Sequence, residues 1–373
     1  MLNRRFLRVK AMQAVYAYQQ KVDTNFNLAL EYIDDKFAPD LNSMEVQDHG
    51  FLNKQKKKTR QLFVDFKKFK TEYVNKAEDE IVDAVNDAWV YFINENKGDL
   101  KTLKDLMLLD VENIHKEYFN SLWFVSELAS FESKKYKNKL LDSRVFKVLK
   151  NNERLQSEVS KRGLSWEQED SLVKRLFRDF LVKEDFYKEY SNEECDFEKE
   201  IDFAKKLVKR GMFKNDLFNS EFDEVDLRWA ENKEMVSSMV RKTLKNITEE
   251  GDVKILELTE NWKDDKDFFL TLFDLTVAED SEVNDLVNNT IKNWDTDRVS
   301  MTDKIILNMA VHEMLNFKDI PVKVTINEYI ELSKNYSTPK SKKFVNGVLD
   351  AVSKKLDSEN KIKKSGRGLI DNK

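Results

Sequence analysis

Positive charge and aromatic rings occur together in two stretches of the sequence, one near each end. Residues 1–22 contain basic residues and no acidic residue, and residues 331–349 contain a single acidic residue, Glu331. Arginine and lysine neutralise phosphate groups, and an aromatic ring beside them can stack on an unpaired base. The candidate nucleic-acid-binding residues are Arg4, Arg5, Arg8 and Tyr16 in the first stretch, and Lys340, Lys342, Lys343 and Phe344 in the second.

Helical spacing decides which of these side chains can act together. The apolar pattern predicts a helix over residues 3–20, and offsets of three and four place Arg5, Arg8 and Tyr16 on one face of it. Either stretch alone is better explained as a solvated helix face, with Phe344 in the core. Two such stretches with so little acid favour a nucleic acid. Single-stranded RNA is favoured over a duplex because the sequence contains no evident helix of the major-groove-reading type.

Enzyme signatures are absent from the sequence. Three histidines and one cysteine do not have the local spacing of a zinc site, and no glycine-rich phosphate loop or nucleophile elbow occurs. His312 lies in an apolar helical pattern and is interpreted as a packed side chain. Carboxylate pairs are expected throughout any glutamate-rich helical chain. We therefore predict a protein that is not an enzyme, with no catalytic residue, no metal ion and no cofactor.

Composition predicts an all-α fold. The 373 residues include 8 Gly and 3 Pro, and 36% of the chain is charged, a pattern typical of long helices. The single cysteine, Cys195, fits a reducing cytoplasm, and we find no signal peptide and no membrane-spanning run. Residues 184–234 carry 16 acidic against 9 basic residues, which argues against contact between this central segment and RNA.

Local signals predict where several elements begin and end. Residues 36–60 read as irregular, and Gly98 reads as the end of a helix. Thr325, three residues before Glu328, is predicted to cap a helix. Thr338 followed by Pro339 predicts the start of the last helix. The apolar stripe of that helix is predicted to be Phe344 or Val345, Val348, Leu349, Val352 and Leu356.

Three segments resemble the NusB family of transcription antitermination factors. They are IPVKVTINEYIELSKNYSTPKSKKFVNGVLD at residues 320–350, NWDTDRVSMTDKIILNMAVHEML upstream of it, and RRFLRVKAMQAVYAYQ near the N-terminus. With the closing KSGRGL, they are similar to the long NusB proteins of the Bacteroidetes lineage. The resemblance covers residues 1–35 and about 262–357.

The resemblance implies an all-helical fold and an RNA-binding function. Family members bind the boxA element of nascent RNA together with the ribosomal protein NusE, and they help RNA polymerase read through terminators in ribosomal RNA operons. The family's arginine-rich segment matches Arg4, Arg5 and Arg8, and its first-helix tyrosine matches Tyr16. Phe344 matches its FVNG phenylalanine, and Lys343 matches the basic residue before that. Glu313 matches a glutamate near the protein partner's surface.

This chain departs from the family pattern in three ways. Lys340 stands where many members have an acidic residue, Phe6 and Leu7 interrupt the arginine run, and about 225 residues separate the two matching parts. We predict a first core helix at residues 1–35, a helical insertion at 36–260, a C-terminal core at 261–357 and a basic flexible tail at 358–373.

Two other functions compete with RNA binding. The first is a helical adaptor that has lost RNA binding and docks a protein through the acidic insertion. The second, an RNA methyltransferase with a NusB-like domain, is disfavoured because the chain lacks a glycine-rich nucleotide-binding turn.

Overall fold

The protein is described by a computed structural model. The structure describes residues 2–42, 44, 46–69, 78–132, 137–166, 171–278, 280–292 and 299–372. The regular structure in these ranges is helical and includes no β-strand, which confirms the predicted all-α fold. The NWD sequence at residues 293–295, quoted for the family resemblance, lies outside the described residues.

Helices follow one another along the described chain with short connections. The first half contains α1 (Arg4–Lys36), α2 (His49–Phe69), α3 (Asp79–Ser130), α4 (Arg144–Lys150), α5 (Glu153–Arg162), α6 (Leu172–Arg175) and α7 (Asp185–Asn192). The second half contains α8 (Phe197–Lys206), α9 (Asp216–Val225), α10 (Trp229–Lys245), α11 (Trp262–Val277), α12 (Ser281–Ile291), α13 (Met301–Asn316), α14 (Val322–Tyr336) and α15 (Ser341–Ser358). Shorter or wider helical turns cover Lys139–Asp142, Leu176–Phe180, Leu181–Lys183, Leu207–Met212 and Gly366–Asn372.

Some predicted helix boundaries are wrong. Helix α2 begins at His49, inside the segment predicted to be irregular, and α3 continues through Gly98 for another 32 residues to Ser130. Gly98 is exposed, and a Cβ built there would meet no atom within 4 Å. It therefore stands on an open helix face and does not mark a helix end.

The chain packs as two compact units. Unit 1 comprises residues 1–7 and 108–266, and unit 2 comprises residues 8–107 and 267–373. The sequence segment 36–260, predicted as one insertion, is thus divided between them. Residues 36–107 belong to the same unit as the C-terminal helices.

In unit 2, three helices form an apolar core away from the C-terminus. The C-terminal half of α1 packs against α2 and the first half of α3, and the side chains meet at helical spacing of three and four. The buried members of this cluster are Ala29, Ile33, Phe37, Phe63, Ala84, Val85, Ala88 and Phe92.

The four C-terminal helices of unit 2 also pack on one another. Helix α15 contacts α12, α13 and α14, and α13 contacts α12 and α14. The apolar stripe of α15 is buried from Val345 onward, through Val348, Leu349, Val352 and Leu356. Phe344 is only half-buried, so Val345, the alternative to Phe344, is the first core residue of this helix.

Unit 1 is built around aromatic side chains. Trp229 at the start of α10 is fully buried, and its indole N–H donates to Asn219 Oδ1 at 2.9 Å. Phe213, Phe218 and Phe222 surround it, with ring centroids 4.4–6.1 Å away. Burial of these rings stabilises the short helices that carry them, because most helical stability in proteins comes from tertiary packing. The helical character predicted for residues 36–260 is confirmed in the described part of that segment.

The C-terminal segment, predicted to be a flexible tail, is docked on the turn between α13 and α14. The Ser365 backbone N–H donates to the Lys318 carbonyl at 3.1 Å, and Lys364 Nζ donates to the Phe317 carbonyl at 2.9 Å. Gly366 has a φ of +53°, which favours glycine. Gly368 is buried, and a Cβ built there would overlap the Lys318 carbonyl oxygen.

Replacing Gly368 with alanine is expected to detach this segment, because the new methyl group cannot share space with the Lys318 carbonyl. Amide hydrogen exchange should report faster exchange at residues 361–370 while α13 and α15 keep their protection. The matched control is Gly98→Ala, which has open space and should leave exchange unchanged or stabilise α3 by up to about 1 kcal/mol. Unaltered exchange in the Gly368 variant would contradict the observed docking.

None of the described helices has the length and apolarity needed to cross a membrane.

Candidate nucleic-acid interface

The Arg8 side chain, predicted to contact RNA, is buried in an ion pair. Its Nε and Nη2 donate to Glu313 Oε2 and Oε1, both at 2.7 Å, which is the two-point geometry of a strong arginine–carboxylate pair. Arg8 Nη1 lies 3.8 Å from Glu328 Oε2. Arg8 is 3% exposed and Glu313 has no exposed surface. The side chains of Arg8 and Glu313 are therefore too buried in this structure to contact RNA or a protein partner directly.

Two further side chains complete the hydrogen bonding of Glu313. Thr325 Oγ1 donates to Oε1 at 2.8 Å, and the Tyr329 hydroxyl donates to Oε2 at 3.1 Å. The Arg8 guanidinium also lies 5.2 Å from the Phe268 ring centre. Burial raises the pKa of Tyr329 well above its usual value, and the negative charge of Glu313 acts in the same direction. This cluster ties α1, α11, α13 and α14 together inside unit 2.

Thr325 therefore has a different role from the predicted helix cap. Pro321 precedes the first residue of α14, Val322, so Thr325 lies within the first turns of the helix. Its hydroxyl reaches across to Glu313 on α13. The capping motif is present in the sequence, but the proline starts the helix one turn earlier.

A chain of hydroxyl groups and one carboxylate fixes the start of α15. Ser341 Oγ donates to Asp303 Oδ2 at 2.8 Å and lies within 3.0 Å of the hydroxyls of Ser337 and Thr338. Ser337 Oγ lies 3.1 Å from Ser300 Oγ, and Ser300 in turn accepts the backbone N–H of Asp303 at 3.0 Å. The chain joins the end of α14 to the starts of α13 and α15. The sequence analysis missed it, although Ser300 before a helix and Ser337–Thr338 between two helices are cap signals.

The start of α15 is strongly basic and faces solvent. Lys340, Lys342 and Lys343 are exposed, Phe344 is half-buried beside them, and the first turn contains no acidic residue. The free backbone N–H groups at a helix start carry partial positive charge, which adds to the field of the lysines. The structure therefore brings together the four predicted residues of the C-terminal stretch.

Helix α1 passes the same end of unit 2. Gln20 Nε2 lies 3.3 Å from the sulfur of Met301, the first residue of α13 and the neighbour of Ser300. Tyr16 lies one helical turn before Gln20 on α1 and is 43% exposed. The exposed ring of Tyr16 thus lies on the helix that contacts the start of α13. The chain of hydroxyl groups joins that helix start to the start of α15.

The other two predicted arginines belong to unit 1. Arg4 is half-exposed, and its Nε donates to Asp265 Oδ1 at 2.9 Å. Arg5 is exposed. Part of the Arg4 charge is therefore neutralised within the chain, while Arg5 keeps its surface position.

Among the residues that the structure describes, there is no group of three or more His, Cys, Asp or Glu side chains that could hold a metal ion. His312 is buried on α13, and burial lowers its pKa while the charge of Asp280 acts in the opposite direction. This packed position is the one that its apolar surroundings in the sequence predicted.

The fold defines an all-helical protein whose C-terminal helices expose a lysine-rich helix start. Residues 227–354 match the family model described as NusB family. This C-terminal region is thus similar to the NusB family. The match begins upstream of residue 261, the predicted start of the C-terminal core, and so includes α10.

Curated relatives agree with the family model. The chain is 41% identical over 106 residues to "Transcription antitermination protein NusB" of Chloroherpeton thalassium, a match covering 28% of this chain and 50% of the relative. It is 40% identical over 105 residues to the protein of that name in Salinibacter ruber, covering 28% and 66%. The protein of Methylacidiphilum infernorum is 48% identical over 79 residues, covering 21% and 55%. The chain thus spans about half to two thirds of the relatives' length. No solved structure matches the chain.

Proposed function

We propose that the protein is an RNA-binding transcription antitermination or termination factor that is not an enzyme and acts in the cytoplasm. It binds boxA-like single-stranded RNA together with a NusE-type ribosomal protein, joins the antitermination complex of RNA polymerase and supports ribosomal RNA transcription. The match to the NusB family model and the printed names of the relatives support this proposal. The predicted partners are otherwise inferred from the family resemblance.

The single observation that carries the RNA proposal is the basic start of α15. Three exposed lysines and a half-buried phenylalanine occupy a helix start that a chain of hydroxyl groups holds in place. A fixed cluster of positive charge can neutralise phosphates with less loss of side-chain and backbone freedom than a mobile one. Phe344, and Tyr16 on α1, supply rings of the kind that stack on unpaired bases.

Arg8 and Glu313 enter this proposal as positioning residues. Because both are buried, they act on RNA and protein partners only through the helices that they hold together. Arg5, Lys340, Lys342 and Lys343 are exposed cations to which we assign phosphate contacts.

The salt dependence of RNA binding tests the proposal. If four to six phosphates are neutralised, log K should fall with log salt concentration with a slope of about −3 to −4, since each contact to a single strand contributes about −0.7. The double variant Lys342→Ala/Lys343→Ala should reduce the magnitude of this slope by about 1.4. A fluorescently labelled boxA-like RNA titrated at several salt concentrations provides the measurement.

The control for this experiment lies on the same helix. Lys354 is an exposed lysine of α15 paired with Asp350 at 2.7 Å, and Lys354→Ala should leave the slope unchanged. A salt-independent affinity, or no RNA binding with or without the ribosomal protein, would reject the RNA proposal. The surviving function would then be the helical adaptor, for which the acidic segment at residues 184–234 offers a protein-binding surface.

A further inference from the structure

Unit 1 contains a cavity of about 320 Å³ whose lining residues all precede residue 227, where the match to the NusB family model begins. Its lining includes two acids, Glu117 of α3 and Asp226, which follows α9, and two aromatic rings, Trp166 and Phe222. The two rings lie 6.0 Å apart at an angle of 32°. This volume suits a small organic group, and mixed apolar and polar lining is typical of ligand pockets.

Glu117 is the unusual member of the lining. It is 7% exposed, and neither of its carboxyl oxygens makes a hydrogen bond of normal geometry to a described residue. Asn232, with no exposed surface, lies beside it and also has both amide atoms unpaired among the described residues. Buried polar groups are nearly always paired, because an unpaired one costs about 1–3 kcal/mol. Glu117 therefore keeps hydrogen-bonding capacity for a polar group that enters the cavity.

The charges around Glu117 indicate the sign of that group. Burial, together with the nearby acids Asp226 and Asp110, raises the pKa of Glu117 to about 8. Arg228 pairs with Asp110 at 2.9 Å, so its charge is already matched. Acids crowded in a buried site favour a bound cation, which removes their mutual repulsion.

The remaining charged groups of the lining are largely matched within the chain. Arg162 pairs with Glu158 at 3.1 Å, and Glu221 pairs with Arg175 at 2.8 Å. Lys116 is exposed. The acidic groups of the lining that make no ion pair with a described residue are thus Glu117 and Asp226.

We propose that this cavity binds an organic cation, an amidinium, guanidinium or amine on an apolar body, with the charged head at Glu117 and Asp226 and the body against Trp166 and Phe222. A cation of this kind can donate hydrogen bonds to several acceptors at once and lie flat against an aromatic ring. A bare metal ion fits less well, because the described acids do not form a cluster of three or more metal ligands. The source is either a free small molecule or the arginine side chain of a partner protein.

The test uses the full chain and two probes. Benzamidine represents the free small cation, N-acetyl-L-argininamide represents an arginine side chain, and benzamide is the uncharged analogue of benzamidine. Isothermal titration calorimetry should detect binding of at least one cation and none of benzamide at the same concentration. Tighter binding of the arginine derivative would identify a partner's side chain as the source, and tighter binding of benzamidine would identify a small molecule.

The pH dependence of binding is the sharper measurement. The cation needs ionised Glu117, and with a pKa of about 8 the ionised fraction rises from about one tenth at pH 7 to about nine tenths at pH 9. Affinity for benzamidine, which stays charged throughout, should therefore increase roughly tenfold over this range. At pH 7, titrations in buffers of different ionisation enthalpy should show that nearly one proton is released for each cation bound.

Two variants separate binding from folding. Glu117→Gln keeps the size of the side chain and removes its charge, so it should fold at least as stably and lose the pH dependence and at least tenfold in affinity at pH 9. Glu221→Gln changes a carboxylate that lines the same cavity but is already paired, and it should bind within about threefold of the unaltered chain. Equal binding of benzamide, failure of both cations to bind at millimolar concentration, or a Glu117→Gln variant that binds unchanged would overturn the proposal.

Discussion

Replacing Arg8 with methionine is expected to lower the free energy of unfolding by about 3–5 kcal/mol, because the substitution leaves Glu313 charged, buried and without its cation. Arg8 provides two hydrogen bonds to this carboxylate at 2.7 Å each, and the remaining donors are the hydroxyls of Thr325 and Tyr329. Two neutral hydroxyl groups cannot replace a full positive charge in a site closed to water. Urea unfolding followed by circular dichroism measures the loss. Because the chain has two compact units, the change belongs in the transition of unit 2 if the units unfold separately.

An exposed ion pair between α1 and α3 provides the control. Lys21 of α1 lies 3.5 Å from Asp99, and its side chain is 54% exposed. Lys21→Met should change the free energy of unfolding by less than about 0.5 kcal/mol, since exposed pairs contribute little. The double variant Arg8→Met/Glu313→Leu should recover most of the lost stability, because it removes both buried charges and replaces them with apolar groups. A single Arg8→Met variant as stable as the unaltered chain would contradict the central role of this pair.

The same variant distinguishes a positioning role from a phosphate contact. As a surface cation, Arg8 would act like Arg5: its loss would weaken every RNA alike and reduce the salt slope. As a buried residue it should leave the salt slope unchanged in the fraction of protein that remains folded, while Arg5→Ala reduces the slope by about 0.7. RNA titrations at low temperature, where the variant is folded, make this comparison.

The sequence predicted Arg8 as a residue of interest but not its environment. Spacing of three and four along α1 correctly indicated a helix. It could not reveal that Arg8 would be buried against a carboxylate 305 positions away, while Arg5 and Tyr16 stay exposed. Which side of a helix is covered depends on contacts distant in sequence, and in this family region the covering residue is Glu313. The resemblance implies a position for Glu313 near a partner's surface, whereas the structure buries it in the pair with Arg8.

In the central segment too, sequence spacing predicted the helices but not the residues that pack against them. Its apolar spacing predicted helices, and the described part is helical. The spacing did not indicate that α2 and the first half of α3 would cover Ala29 and Ile33 of α1 and Phe37 just after it. Because Ala29 and Ile33 are buried by residues 36–107, a shortened chain lacking residues 36–260 would expose these two side chains. Local pattern thus indicates that an apolar stripe exists, and the packing partner is decided by the rest of the chain.

Replacing Phe344 with alanine is expected to weaken RNA binding by about 1–3 kcal/mol while leaving the salt slope unchanged, because a lost stacking contact removes no phosphate contact. Its ring is half-buried at the start of α15, beside the exposed Lys342 and Lys343. A half-buried ring has one part fixed by the protein and another open to a base. Fluorescence titration of a labelled RNA at several salt concentrations gives both quantities.

The neighbouring residue provides a matched control for packing. Val345 is completely buried in the stripe of α15, so Val345→Ala should lower the melting temperature and leave the RNA affinity of the folded protein nearly unchanged. Phe344→Ala should show the opposite pattern, with a small change in melting temperature and a large change in affinity.

Two further substitutions at residue 344 test stacking itself. Phe344→Leu keeps apolar volume without a ring and should bind RNA as poorly as the alanine variant, whereas Phe344→Trp should keep most of the affinity because it presents a larger ring. Leucine binding as well as phenylalanine would show that the position needs only apolar bulk. A large fall in melting temperature in the alanine variant, with RNA affinity retained, would place Phe344 in the core and remove it from the RNA site, leaving the lysines of α15 to bind phosphate without a stacking partner on that helix.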